Sequence, residues 1–232
     1  MNKIKRLRGE NTLLYYLEAY KQHVIDLFGP TFSKDVIFFW IPKTGGSSIN
    51  KILKKYGCCK NRYEESPIPF KNKGISTFGH QDIFNLLKKN VIRKKYYESS
   101  FKFCIVRNPW DRLVSLYHYL EYDELMPFDE FCKEIRNIPP VGPYNVKGLS
   151  QANPQVDWII DKEGEITVNY IGKFENLDQD IKKIFEIIGI NEELGHFNKT
   201  NHKNYREYYN ETTKNIVAEV YKKDIEVFNY EF

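Results

Sequence analysis

Val36-Ile-Phe-Phe-Trp-Ile-Pro-Lys-Thr-Gly-Gly-Ser-Ser48 runs from β-branched and aromatic residues through Pro42 and Lys43 into two glycines and two serines. Helical spacing follows, with Ile49, Ile52, Leu53 and Tyr56 on one face. The pattern predicts a strand, a glycine turn and a helix N-terminus in succession. Glycines let the backbone come close to a ligand, and the unbonded amides of a helix start carry the positive end of its dipole. A lysine and hydroxyls beside such a turn suit an anion of phosphate size. Pro42, Lys43, Thr44, Gly45, Gly46, Ser47 and Ser48 are therefore the candidate anion-binding residues. The plainer reading is a strand-turn-helix junction with an incidental lysine.

In a Walker A loop the lysine follows the second glycine and directly precedes Ser or Thr. Here it precedes both glycines, so the loop is a different one. A second segment bears on the same question. Phe101-Lys-Phe-Cys-Ile-Val-Arg107 reads as another buried strand, and Asn108-Pro109 opens a helix with proline at the tolerated first position. Ser115 lies about two turns into that helix. Arg107 and Ser115 can both reach an anion over the sheet edge, where ligands of open parallel sheets collect. Arg112 and Tyr119 share the face of Ser115, and Arg112 suits helix packing as well as ligand contact.

Together, Pro42-Lys-Thr-Gly-Gly-Ser-Ser48 and Arg107-Asn-Pro-Trp-Asp-Arg-Leu-Val-Ser115-Leu-Tyr117 resemble the two cofactor signatures of sulfotransferases that use 3′-phosphoadenosine-5′-phosphosulfate (PAPS). The match is to the carbohydrate branch, sulfotransferase family 2. Gly172-Lys-Phe-Glu-Asn-Leu177 and Phe197-Asn-Lys-Thr-Asn-His202 extend the resemblance to about residues 36 to 232. It implies a P-loop-type fold, a first loop that holds the 5′-phosphosulfate, and Arg107 and Ser115 on the 3′-phosphate. It also implies a late loop, Asn198, Lys199 and Thr200, that closes over the nucleotide; the alternative for those residues is a capping turn.

Sulfuryl transfer needs a held donor, a stabilised leaving group and a deprotonated alcohol. Lys43 and the amides of Gly45 to Ser48 are placed for the leaving group. A histidine suits the base near neutral pH. His23 falls on an N-terminal helix, His118 inside the second-motif helix, and His196 and His202 flank the late loop. His80, in Thr77-Phe-Gly-His80, remains, and a similar Gly-His step in the family carries the base. Asp82 is the second candidate. The resulting expectation is an enzyme that transfers from PAPS to a carbohydrate hydroxyl, releases PAP and calls for no metal. Two rivals are a P-loop small-molecule kinase and a PAP- or glycan-binding module without catalysis. A kinase would need Mg²⁺ ligands and a Walker-type lysine. Acceptor contacts are expected from the breaker-rich segment from Asn137 to Pro154, through Tyr144, Asn145, Lys147 and Gln151, with Gln155 and Asp157 beyond it; the alternative is a surface loop that only connects two helices, with the acceptor against residues 58 to 79. Glu175 is read as a partner in a structural ion pair, and the three tryptophans as core or edge residues.

The 232 residues carry a net charge of +4 with no long basic run, which argues against a nucleic-acid arm. Four cysteines lack metal-ligand spacing and point to a reduced compartment. Lys3, Lys5, Arg6 and Arg8 are not followed by an apolar run, and no stretch approaches the roughly 20 apolar residues of a membrane span. A soluble, cytoplasmic, bacterial enzyme is the expectation.

The chain reads as one domain over 1–232, with 1–35 as an N-terminal helical extension whose helix covers about 10 to 28. After the phosphate loop, residues 58 to 79 read as an irregular surface excursion. Helices are expected at about 81–90, from the second strand to Tyr122, at 176–188 closed by Gly189, and at 212–227, with a strand at 166–171. Strands alternating with helices predict an α/β three-layer sandwich around a mostly parallel central sheet.

Overall fold

Side chains of Val36, Phe38 and Trp40 enter one apolar cluster, and those of Ile37, Phe39 and Ile41 enter another. That is the period of two of an extended chain. None of the six is more than 9% exposed, so the strand β1 (Val36–Phe39) is covered on both faces. The computed structural model describes residues 34–60, 74–80, 83–88, 90, 92–138, 149–195 and 203–232; the expected helix at 10–28 lies outside them.

Five strands are described: β1, β2 (Cys59–Lys60), β3 (Ile75–Thr77), β4 (Phe101–Val106) and β5 (Tyr170–Lys173). Their order is β2-β3-β1-β4-β5, and every pairing is parallel. Along β4 the same alternation sends Phe103 and Ile105 to the first cluster and Cys104 and Val106 to the second. The first face is covered by α1 (Gly46–Lys55) and α6 (Leu177–Ile188), through Ile49, Ile52, Leu53, Ile181, Ile184 and Phe185. The second face is covered by α2 (Ile83–Lys88), α3 (Lys94–Ser99) and Phe228 of α8 (Lys222–Phe228). The result is the α/β three-layer arrangement that the sequence predicts. A third cluster unites α4 (Pro109–Tyr119), α5 (Phe128–Lys133) and α7 (Glu211–Val220) beyond the sheet edge. Among the described residues no helix is long and apolar enough to cross a membrane.

Four boundaries differ from the sequence reading. The stretch 58 to 79 is no mere excursion, because β3 lies beside β1 with Ile75, Ser76 and Thr77 all buried. Three residues are too few to show a period; backbone pairing makes this strand, and the Ser76 hydroxyl is matched by Tyr96 Oη at 2.7 Å. The strand expected at 166–171 is displaced to Tyr170–Lys173. Asp180 of α6 anchors it, accepting from Lys173 N at 2.8 Å and Tyr170 Oη at 3.0 Å. Ile166 instead forms an antiparallel bridge with Ile160 around a turn whose amides are capped by Asp161.

The helix expected over 212–227 is broken at Tyr221, and the second-motif helix stops at Tyr119, before a 3-10 turn at Tyr122–Glu124. Tyr221 is buried and its hydroxyl donates to Ala152 O at 2.7 Å. That tertiary bond fixes the ring where two helices meet. Helices α3 and α5 were not anticipated. By contrast α6 ends at Gly189 in the left-handed conformation, as its glycine predicts.

Candidate functional site

β1 and β4 are sheet neighbours, and the chain leaves both at their carboxyl ends toward the same crevice. After β1 the chain turns to β2 and β3 on one side, and later to β4 and β5 on the other, so the crevice sits at a topological switch point. One cavity there is lined by Pro42, Lys43, Gly45, Gly46, Ser47, His80, Arg107 and Ser115. Residues from Trp40 to Phe174, far apart in the chain, thus meet around one space. Trp40, Tyr119, Gln151 and Phe174 complete its wall.

The loop after β1 has its shape imposed by sterics. Gly45 takes φ +83°, where glycine is at ease, and Lys43 takes φ 67°, which is uncommon for a side-chain-bearing residue. A Cβ on Gly46 would overlap the Trp40 indole, so the helix α1 starts flush against that ring. Gly46→Ala is expected to lower stability by about 1–3 kcal/mol, the usual range for overpacking, read as a fall in the urea midpoint at unchanged slope. The Lys43 ammonium lies 4.0 Å from the centroid of the Tyr119 ring.

Thr44 does not line this cavity. Its side chain is fully buried and its hydroxyl donates to Ile41 O at 3.0 Å, closing the turn from within. Ser48 is also buried and outside the cavity lining. Asn198, Lys199 and Thr200 lie outside the described residues, as do Asp82, Tyr144, Asn145 and Lys147.

Arg107 is 5% exposed and held on three sides. Asp111, one turn along α4, accepts from its Nε at 2.8 Å and from its Nη2 at 2.9 Å. Nη1 donates to Lys43 O at 3.3 Å, and the Phe174 ring lies 4.2 Å beneath the guanidinium. Of the five N–H groups of an arginine, these bonds use three. Among the described residues nothing takes up the other two, in the cavity that Arg107 lines.

The backbone of Arg107 is clamped by Gln155. Gln155 Oε1 accepts from Arg107 N at 2.8 Å and its Nε2 donates to Arg107 O at 2.8 Å, extending the sheet pairing with a side chain. Gln155 is fixed in turn by the buried Asp224, which accepts from Gln155 N, Gln155 Nε2 and Val156 N. Burial pushes the Asp224 carboxyl up from its ordinary value, opposed by Arg112 and those N–H donors. This overturns the reading of Gln155 as a sugar-binding group: it is fully buried and its polar atoms face the Arg107 backbone. Glu175 likewise has no ion pair among the described residues; it accepts from Asn108 N at 2.6 Å and Tyr230 Oη at 3.1 Å, bracing the start of α4.

Arg112 resolves to packing. Only 2% exposed, it donates from Nε to Pro42 O at 3.1 Å and from Nη2 to Gln151 O at 2.7 Å and Asn153 O at 2.9 Å. A buried cation satisfied by main-chain oxygens ties the loop after β1 to the 150–153 turn. Trp40 is indeed nearly buried, yet it is also a cavity wall, with its ring edge-on to His80 at 5.3 Å.

His80 Nδ1 lies 2.7 Å from Trp40 O. A carbonyl oxygen only accepts, so Nδ1 carries the proton of the neutral ring and Nε2 carries the lone pair. The ring faces the cavity with its basic nitrogen determined by a main-chain bond. Nothing in the sequence marks that bond, since it joins residues 40 positions apart.

Comparison with known proteins agrees with this architecture. The family model described as "Sulfotransferase family" (family 2) matches residues 33–231. An uncharacterized protein of Archaeoglobus fulgidus is 31% identical over 109 residues, which are 46% of this chain and 82% of that protein.

Proposed function

Because the chain belongs to the sulfotransferase family, we propose that it moves the sulfuryl group of PAPS to a hydroxyl of an acceptor, a carbohydrate by class. One observation supports this reading above the rest: a single cavity joins Lys43, Ser47, Arg107 and Ser115, a set suited to two separated anionic groups, with a histidine whose lone pair is on Nε2.

PAPS supplies an activated sulfuryl group bonded to its 5′-phosphate oxygen, and transfer leaves negative charge on that oxygen. In this proposal Lys43 and the start of α1 meet that charge with an ammonium and preorganised amides. Arg107 and Ser115 hold the 3′-phosphate through charge-assisted and hydroxyl bonds. Arg107 is suited to this because Asp111 and Gln155 fix it before ligand arrives, so little side-chain entropy is lost on binding. His80 Nε2 takes the proton of the acceptor hydroxyl while its oxygen attacks sulfur in line with the departing phosphate oxygen. Asn198, Lys199 and Thr200 enter the proposal through the family resemblance alone, as the segment that closes over the nucleotide.

The discriminating experiment is calorimetry with PAP, AMP and Mg²⁺-ATP, followed by PAPS turnover against a panel of glycans, lipids and small alcohols. PAP is expected to bind far more tightly than AMP, because only PAP carries the 3′-phosphate. Arg107→Ala is expected to weaken PAP about 10-fold or more, since a hydrogen bond to a charged group is worth about 1.5–3 kcal/mol, and to leave AMP nearly unaffected. Equal affinity for PAP and AMP would remove the assignment; tight Mg²⁺-dependent ATP binding would favour a kinase.

A further inference from the structure

We infer that Tyr119 is a positioning residue for the transfer: its ring holds the Lys43 ammonium in the cavity before the donor arrives. This rests on the sulfotransferase reading above and adds to it a residue that acts through the leaving-group lysine.

A lysine ammonium ends a flexible four-carbon stem with ample rotamer freedom, so fixing the backbone does not by itself place the charge. Around Lys43 both are fixed from one stretch of chain, residues 107 to 119. Arg112 Nε donates to Pro42 O at 3.1 Å, and Arg107 Nη1 donates to Lys43 O at 3.3 Å. The carbonyls on either side of the Lys43 Cα are thus both gripped, with the residue itself at φ 67°. Tyr119 adds the side chain, with the ammonium 4.0 Å from its ring centroid.

Tyr119 lies four positions after Ser115 on α4, hence on the same face, and both line the cavity with Lys43. It is 40% exposed, so its place is not explained by core packing. One helix therefore brings a hydroxyl to the proposed 3′-phosphate end and, a turn later, a ring to the lysine.

The chemistry of the contact suits a holder. A carboxylate in the same place would neutralise the ammonium and repel an incoming phosphosulfate. A ring face attracts the cation through its quadrupole and brings no net charge, so the positive charge stays available to the donor. A lysine already held in the cavity also loses less side-chain entropy when the donor binds.

The test compares wild type, Tyr119→Leu and Tyr119→Phe, each made with Lys43 intact and with Lys43→Ala. Leucine suits a helix and removes the ring face, whereas phenylalanine keeps it. PAP and AMP affinities are measured by calorimetry and PAPS turnover by rapid quench, with thermal midpoints to verify folding. With Lys43 intact, Tyr119→Leu is expected to lower turnover about 3- to 10-fold, between the exposed and desolvated extremes of a cation–π contact. It is expected to weaken PAP and AMP alike by a similar factor, because both carry the 5′-phosphate that the lysine meets. Tyr119→Phe is expected to stay within about twofold of wild type. In the Lys43→Ala background Tyr119→Leu is expected to change nothing further, the signature of two groups that act as one. A loss that persists without Lys43 overturns the inference, since it would come from direct contact with the ligand or from a structural fault. Wild-type behaviour of Tyr119→Leu overturns it too, as does a Tyr119→Phe variant as impaired as Tyr119→Leu, which would give the role to the hydroxyl. Wild type that binds PAP no better than AMP defeats the functional reading itself, a result distinct from any of these.

Discussion

His80→Ala is expected to lower turnover with PAPS about 10²- to 10⁴-fold, the usual span for removing a general base, while PAP affinity stays within about twofold. The separation follows from the geometry: His80 is held by Trp40 O through Nδ1 and brings only Nε2 to the chemistry. His80→Gln sharpens the test, because its amide can keep a donor to Trp40 O without supplying a basic nitrogen. Both variants are expected to be equally slow. If His80→Ala retains more than about a tenth of the wild-type rate, the base is another group, and Asp82 is next in line. Rapid-quench measurement of a single turnover isolates the chemical step, so slow product release cannot mask the loss.

Lys43→Ala is expected to cost about 10²-fold or more in turnover, comparable to removing one preorganised donor from developing charge. Ground-state PAPS affinity is expected to fall much less, since the lysine meets charge that grows as the sulfuryl group departs, whereas PAP, which already carries that charge, is expected to bind markedly more weakly. Alanine keeps a Cβ at a backbone position with φ 67°, so the loop retains its local constraint, whereas glycine would relax it and confuse the comparison. The Tyr119 ring 4.0 Å from the ammonium adds a cation–π contact that is lost with the side chain. Equal losses in PAPS affinity and turnover would show that Lys43 serves binding uniformly and has no special place in the transition state.

The legible parts of this protein are those where local chemistry and tertiary demand coincide. Val36–Ile41 is apolar at every position because both faces of the strand are covered. Gly45 and Gly46 are required by a positive φ and by contact with Trp40, and both appear in the sequence as a plain signal. Pro109 and Gly189 mark helix ends by their own backbone preferences. β3 was illegible for the opposite reason: Ile75-Ser-Thr77 has no pattern of its own and becomes a strand only through its partners. Gln155 reads wrongly for a related cause, because a glutamine just past a breaker-rich segment looks exposed, and its partner Asp224 lies 69 positions later.

By itself the sequence determined an α/β chain with a glycine loop after its first strand and an arginine at the end of another, because strand burial, turn conformation and helix capping act over a few neighbouring residues. Only the tertiary structure decided which of the polar groups near that loop are spent on the scaffold and which are left to a ligand. Arg112, Glu175 and Gln155 are consumed by partners far along the chain, whereas two N–H groups of Arg107 are not taken up by any described residue. The physical reason is that a buried polar group must find a partner, and where that partner lies tens of residues away, its identity is fixed by the folded path of the chain and by nothing in the local sequence.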